Sequence, residues 1–266
     1  MKKMKKIILL ISLITLSACS SSDDSTSPDP TPTPITDANI AFSFSHNWDG
    51  TAVTNSNFNT IQYTNANGEE MSIEKLRYLI SNITFQKING EVIEINGYNL
   101  VDVTNNENMV FSPETKIPFG DYSKVSFTFG FNNSDNIDGA YADLNTALWN
   151  VPTMLGGGYH FMQLEGKFID NTDTEVGYQY HTIRAVNNSD PNNLVFQDTF
   201  FEVDLGSVTI SSDVSFQVKM NIAEWFKNPI RWDLNVLNSM LMPDFGAQLL
   251  MFNIGKDVFS LGSITQ

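Results

Sequence analysis

Ala41-Phe42-Ser43-Phe44-Ser45-His46 alternates large and small side chains, so in an extended chain Phe42, Phe44 and His46 share one face. That is the period of a half-buried strand. The same alternation recurs at Phe127, Phe129 and Phe131, and in 159–168, where Phe161, Gln163 and Glu165 oppose Met162, Leu164 and Gly166. Further strands are expected at 61–64, 78–87, 91–95, 100–103, 124–131, 176–182, 194–203, 208–210 and 214–220. Many short strands between clusters of Asn, Asp, Gly and Pro predict an all-β fold, an antiparallel β-sandwich. Helical signals are few: a turn at 72–76, another at 222–227 stopped by Pro229, and a last helix at 243–252 with Pro243 at a permitted N-terminal position. Short helices are therefore expected mainly near the C-terminus, within one domain spanning 39–266.

Composition narrows the function. The 266 residues carry 15 Lys+Arg against 30 Asp+Glu, three His and a single Cys, and 41% are hydrophobic, enough for a sizeable core. One Cys excludes an internal disulfide and any all-thiolate zinc or iron–sulfur site, each of which needs at least two sulfurs. The negative field repels phosphates, so no nucleic-acid partner is expected.

The N-terminus reads as an address. Lys2, Lys3, Lys5 and Lys6 precede an apolar run at 7–16, too short to span a bilayer comfortably, and Leu16-Ser17-Ala18-Cys19 follows. That ending resembles a bacterial lipobox, which implies a signal peptide at 1–18 and a lipid on Cys19. Removing the four leader lysines from 15 leaves 11 positive against 30 negative side chains, a net −19 on the mature chain. Residues 19–38, rich in Ser, Asp, Pro and Thr, form a tether. Ser20 after the cysteine suggests transfer to the outer membrane. Asp23 and Asp24 resemble the surface-export signal of Bacteroidota lipoproteins, so the domain is expected to face the periplasm or the cell surface.

Enzyme signatures are missing: the chain has no G-x-S-x-G, H-E-x-x-H, P-loop or Rossmann fingerprint, and a non-enzymatic role is expected. Gly156-Gly157-Gly158 lacks the lysine and helix start of a phosphate cradle and reads as a tight loop. Residues 134–139 space oxygen ligands like a calcium loop, but the twelfth position is Asn145 rather than Glu. The histidines are more informative. His46, His160 and His181 each sit in a strand pattern, and neutral imidazoles gathered at one rim suit copper or zinc. Met240 and Met242 add thioethers, which favour Cu(I), although a spacing of two also suits one packed face. Trp48 and Trp149 flank these segments and read equally as rim aromatics.

Taken in order, the motifs resemble the MbnP-like family of bacterial lipoproteins. The matching features are Phe44-Ser45-His46 with Gly50, and Tyr63-Thr64-Asn65-Ala66-Asn67-Gly68 leading to Leu76-Arg77-Tyr78-Leu79-Ile80-Ser81-Asn82-Ile83. Phe119-Gly120-Asp121-Tyr122, Trp149, Gly158-Tyr159-His160-Phe161 with Leu164-Glu165-Gly166, and Tyr180-His181 follow. Glu224-Trp225-Phe226 and the run from Asn253 to Phe259 close the match, which covers about residues 40–262. The resemblance implies a β-rich extracytoplasmic domain that binds copper through imidazoles, for acquisition or buffering. By position it assigns His46 and His181, with His160 as a further ligand. Some members carry a tryptophan oxidised to kynurenine by a partner dihaem peroxidase, which makes Trp149 and Trp48 the residues to consider. The chain departs from the family wording at Trp149-Asn150-Val151-Pro152. A dihaem peroxidase and a TonB-dependent transporter are the implied partners, beside the membrane reached through the lipid. The alternative from another class is a surface module binding glycan or protein, with structural histidines.

Overall fold

The strand Lys75–Lys87 organises the computed structural model, which describes residues 36–266. Val92–Asp102 pairs along one edge for almost the full length. The other edge therefore takes two partners in succession: Met162–Ile169 beside Lys75 to Tyr78, and Gly120–Phe129 beside Ile80 to Lys87. Glu175–Thr182 continues the sheet beyond Met162–Ile169, while Phe201–Asp204 and Val208–Ile210 extend it beyond Gly120–Phe129. With Glu70–Met71 and Tyr63–Thr64 this makes nine strands.

A five-stranded sheet packs against it, ordered Phe259–Thr265, Val214–Asn221, Ile40–Trp48 and Thr51–Val53, with Val110–Phe111 also on Ile40–Trp48. The alternation that decides the fold is realised: Ile40, Phe42, Phe44, His46 and Trp48 are buried and the residues between them are half-buried. Phe42 stacks on Phe216 at 5.1 Å, and both meet Phe85 of the opposing sheet at 6.4 and 6.0 Å. Phe259 bridges Tyr78, Phe127 and Phe129. Each such ring pair contributes about 0.5–1.5 kcal/mol beyond its buried area. The core is thus an aromatic layer between two sheets.

The fold is the expected all-β sandwich, with several local differences. Ile40–Trp48 and Val214–Asn221 run parallel, while the other strand pairs are antiparallel. A parallel pair needs a long crossover, and here the nine-stranded sheet supplies it. The segments 91–95 and 100–103 form one strand with a bulge, where Asn96 and Gly97, the latter at φ +111, lie opposite Asn82; the side-chain pattern is interrupted there and the pairing resumes on either side. The expected turn at 72–76 is extended. Phe259–Thr265 adds a strand and Ala142–Thr146 a short helix that the patterning does not announce. Near the C-terminus, Ile222–Phe226 is a 3₁₀ turn. Phe245–Gly255 is an α-helix capped by Asp244, whose side chain accepts the Ala247 N–H at 2.9 Å.

Asp37–Ala38, placed by sequence in the tether, pairs with Ile117–Pro118. Cys19, the leader 1–18 and the tether up to 35 lie outside the described residues. Among the described residues no helix is long and apolar enough to cross a membrane.

Candidate metal centre

Strand register separates the histidines. Arg77 lies opposite Gln163, which lies opposite His181, and the next row is Tyr78, Met162 and Thr182. Successive rows point to opposite faces of a sheet. The Tyr78 row faces the sandwich interior, where the Tyr78 ring meets Phe44 and His46. His181 therefore stands on the outer face, with Arg77 and Gln163.

Residues 147–160 fold onto that outer face. The Arg77 guanidinium lies 5.0 Å from the centre of the Trp149 ring and donates to the Ala147 carbonyl and to Gln163 Oε1. His160 donates its backbone N–H to the Trp149 carbonyl at 3.0 Å, which also lies 2.9 Å from His160 Nδ1. A carbonyl oxygen only accepts, so Nδ1 carries the proton and Nε2 is a bare lone pair. Burial pushes the His160 pKa down to about 4, the Trp149 contact opposing this and the neighbouring His181 adding to it. The ring is neutral at pH 7. Its Nε2 lies 3.2 Å from Met242 Sδ.

The His181 ring crosses that of His160 at 84°, with centroids 5.3 Å apart. His181 Nε2 is 2.9 Å from Glu165 Oε1, and Lys75 Nζ approaches the same oxygen at 2.8 Å. The His181 bond, aided by Lys75, draws the Glu165 pKa down to about 2, so the carboxylate is ionised and accepts. Nε2 of His181 then holds a proton, and in the neutral ring Nδ1 is the electron-pair donor, in the arrangement typical of metal-binding histidines. Two imidazoles thus meet with one nitrogen each anchored and the other free.

His181 and Met242 line a cavity of about 270 Å³, together with Met154, Met240, Leu155 and Pro243 among others. Gln248 holds its two walls. From the helix Phe245–Gly255 its Nε2 donates to the carbonyls of His181 and Leu241, at 2.8 and 3.0 Å, and its Oε1 accepts the Ile183 N–H. Gln248 is not singled out by its sequence context; only its place in the expected helix at 243–252 hints at its face.

The expected meeting of His46 with His181 does not occur. His46 Nε2 lies 3.1 Å from the Tyr78 hydroxyl inside the sandwich, and burial lowers its pKa to about 4. Trp48 stays with it, stacked on Tyr63 at 4.7 Å and on Phe226 at 6.0 Å. Trp149 instead sits beside the imidazole pair, 5.6 Å from the His160 ring, with its Nε1 buried and unpartnered. Among the described residues no three or more His, Cys, Asp or Glu side chains gather as a metal cluster. The donor set here is two imidazoles and a thioether.

The 134–139 loop has another use for its oxygens. Asn136 Oδ1 accepts the Tyr159 N–H at 2.8 Å and Asp138 Oδ1 the Gly158 N–H at 3.2 Å. These bonds brace the glycine loop that precedes His160. Gly158, at φ +80, has no room for a Cβ, which would fall 2.6 Å from Asn136 Oδ1.

The family model MbnP matches residues 37–242. A solved structure, MbnP from Methylosinus trichosporium, superposes with a TM-score of 0.53, covering 86% of this chain and 99% of that one at 13% identity. At that identity the likeness is one of fold. Comparison with curated proteins finds no significant sequence match.

Proposed function

Because the chain belongs to the MbnP family, we propose that it is a non-catalytic copper-binding protein of the cell envelope, with His160 and His181 as the imidazole ligands. The observation that supports this reading is the pairing of the two rings at 5.3 Å, each with one N–H already committed, to Trp149 or to Glu165. Neutral imidazole nitrogen is a common copper ligand, and burial keeps the His160 ring in that form at pH 7. The excess of acidic side chains attracts cations over roughly 8 Å in physiological salt.

In this reading His46 is structural and Trp149 is the tryptophan placed to be modified by a dihaem peroxidase. A lipid on Cys19 anchors the domain to the outer membrane. A TonB-dependent transporter is the partner expected if the copper is acquired rather than buffered. The rival reading as a glycan module draws no support from the tryptophans, since Trp48, Trp149, Trp225 and Trp232 are all buried.

Elemental analysis after anaerobic loading tests the proposal. One copper per chain is expected, lost in the His160→Gln, His181→Gln double variant. Full copper affinity in that double variant refutes it.

A further inference from the structure

One contact at the site has no hydrogen in it. His160 commits its single proton to the Trp149 carbonyl through Nδ1, so Nε2 faces Met242 Sδ with a lone pair. A thioether sulfur likewise has lone pairs and no hydrogen. Two electron-pair donors therefore meet at 3.2 Å with nothing shared between them. Two metal bonds of roughly 2 Å each span that separation. Met242 is also held in place: Gln248 fixes the neighbouring Leu241 carbonyl and the carbonyl of His181 through one amide nitrogen.

A second observation is independent of this contact. Three of the ten methionines in the chain line the same cavity as His181. Met154 and Met240 are 76% and 75% exposed, and Met240 sits at φ +57, a left-handed backbone that a side chain of this size rarely adopts. Two unbranched, polarizable side chains are thus displayed at the mouth instead of being packed in the core, where methionine usually goes.

Resting on the copper reading above, we propose that Met242 supplies a thioether ligand beside His160 and His181, and that Met154 and Met240 receive the ion at the mouth. The pocket then takes cuprous rather than cupric ion, since thioether sulfur selects the softer state. Leucine replaces methionine with little change of volume and no sulfur, which isolates the chemistry from the packing.

The test titrates the metal-free full chain anaerobically with Cu(I) against a chromophoric Cu(I) chelator, and separately with Cu(II). Met242→Leu should weaken Cu(I) binding at least about tenfold, the scale on which groups around a metal act, and leave Cu(II) binding nearly unchanged. Met154→Leu, Met240→Leu should keep the equilibrium Cu(I) affinity and slow loading. In the unaltered protein, the Met242 methyl signal in methyl-¹³C methionine spectra should move with one equivalent of Cu(I). Wild-type Cu(I) affinity in Met242→Leu, with an unmoved methyl signal, overturns the thioether ligand and leaves the histidine reading standing. Wild-type loading rate in the double variant overturns the role of the mouth. If the unaltered chain takes up neither Cu(I) nor Cu(II), the copper reading itself fails.

Discussion

His181 and Glu165 are diagonal neighbours on adjacent strands, Nε2 to Oε1 2.9 Å, because Glu165 pairs with Gln179 and His181 with Gln163. Side chains so placed are within reach across a sheet. Register, rather than any loop, thus sets the tautomer of His181. Replacing the carboxylate frees the ring to rotate and to move its proton. Glu165→Ala should therefore weaken copper binding about 10–100-fold while the far-ultraviolet circular dichroism stays as in the unaltered chain. Competitive titration reads this directly, and unchanged affinity would mean that Glu165 only balances Lys75.

The inner histidine gives a pH prediction with a definite sign. His46 has a folded pKa of about 4 against 6.5 for an unperturbed ring, because burial opposes its charge. Between these values the unfolded chain binds a proton that the folded chain refuses, so stability falls as pH drops from about 6.5 towards 4 and is fully present above 6.5. The shift corresponds to about 3 kcal/mol. In His46→Gln, whose amide does not titrate, chemical denaturation of the metal-free protein should show a pH-dependent loss smaller by about that amount. An identical pH profile would show that His46 charges freely in the folded state.

Gln248 offers a stability test of the framework. Its amide serves three buried backbone groups, on Ile183, His181 and Leu241, and is 1% exposed. Leaving buried polar groups unpaired costs about 1–3 kcal/mol each. Gln248→Leu should lower stability by about 3 kcal/mol or more, or roughly 10 °C in Tm at this chain length. A calorimetric shift of only a degree or two would remove Gln248 from the framework.

How far the sequence could be read depended on the range of the signal. The alternation in Ile40–Trp48 and the short strand Val208–Ile210 were legible because burial of one face writes itself into neighbouring residues. The parallel partnership of Ile40–Trp48 with Val214–Asn221 was not, since no local pattern reports a partner some 170 residues away. Phe259–Thr265 escaped because the two-residue alternation of Phe259 and Leu261 breaks at Gly262 and Ser263, where the register shifts before Ile264. Histidines were found as a type, but their grouping was not. His46 and His181 both sit in strand patterns, and a shift of one residue in register decides which face a side chain takes. His160 meets Met242 across 82 positions of chain, a contact visible only after the outer face of the sheet has been covered by residues 147–160 and by the turn before the last helix.

Copper bound at the outer face and not in the sandwich interior is the claim on which the rest depends. Crystals of the copper-loaded chain, measured on both sides of the copper absorption edge, test it most directly. One anomalous peak between His160 Nε2 and His181 Nδ1 is the predicted result; a peak beside His46 and Tyr78, or none near any histidine, would contradict it.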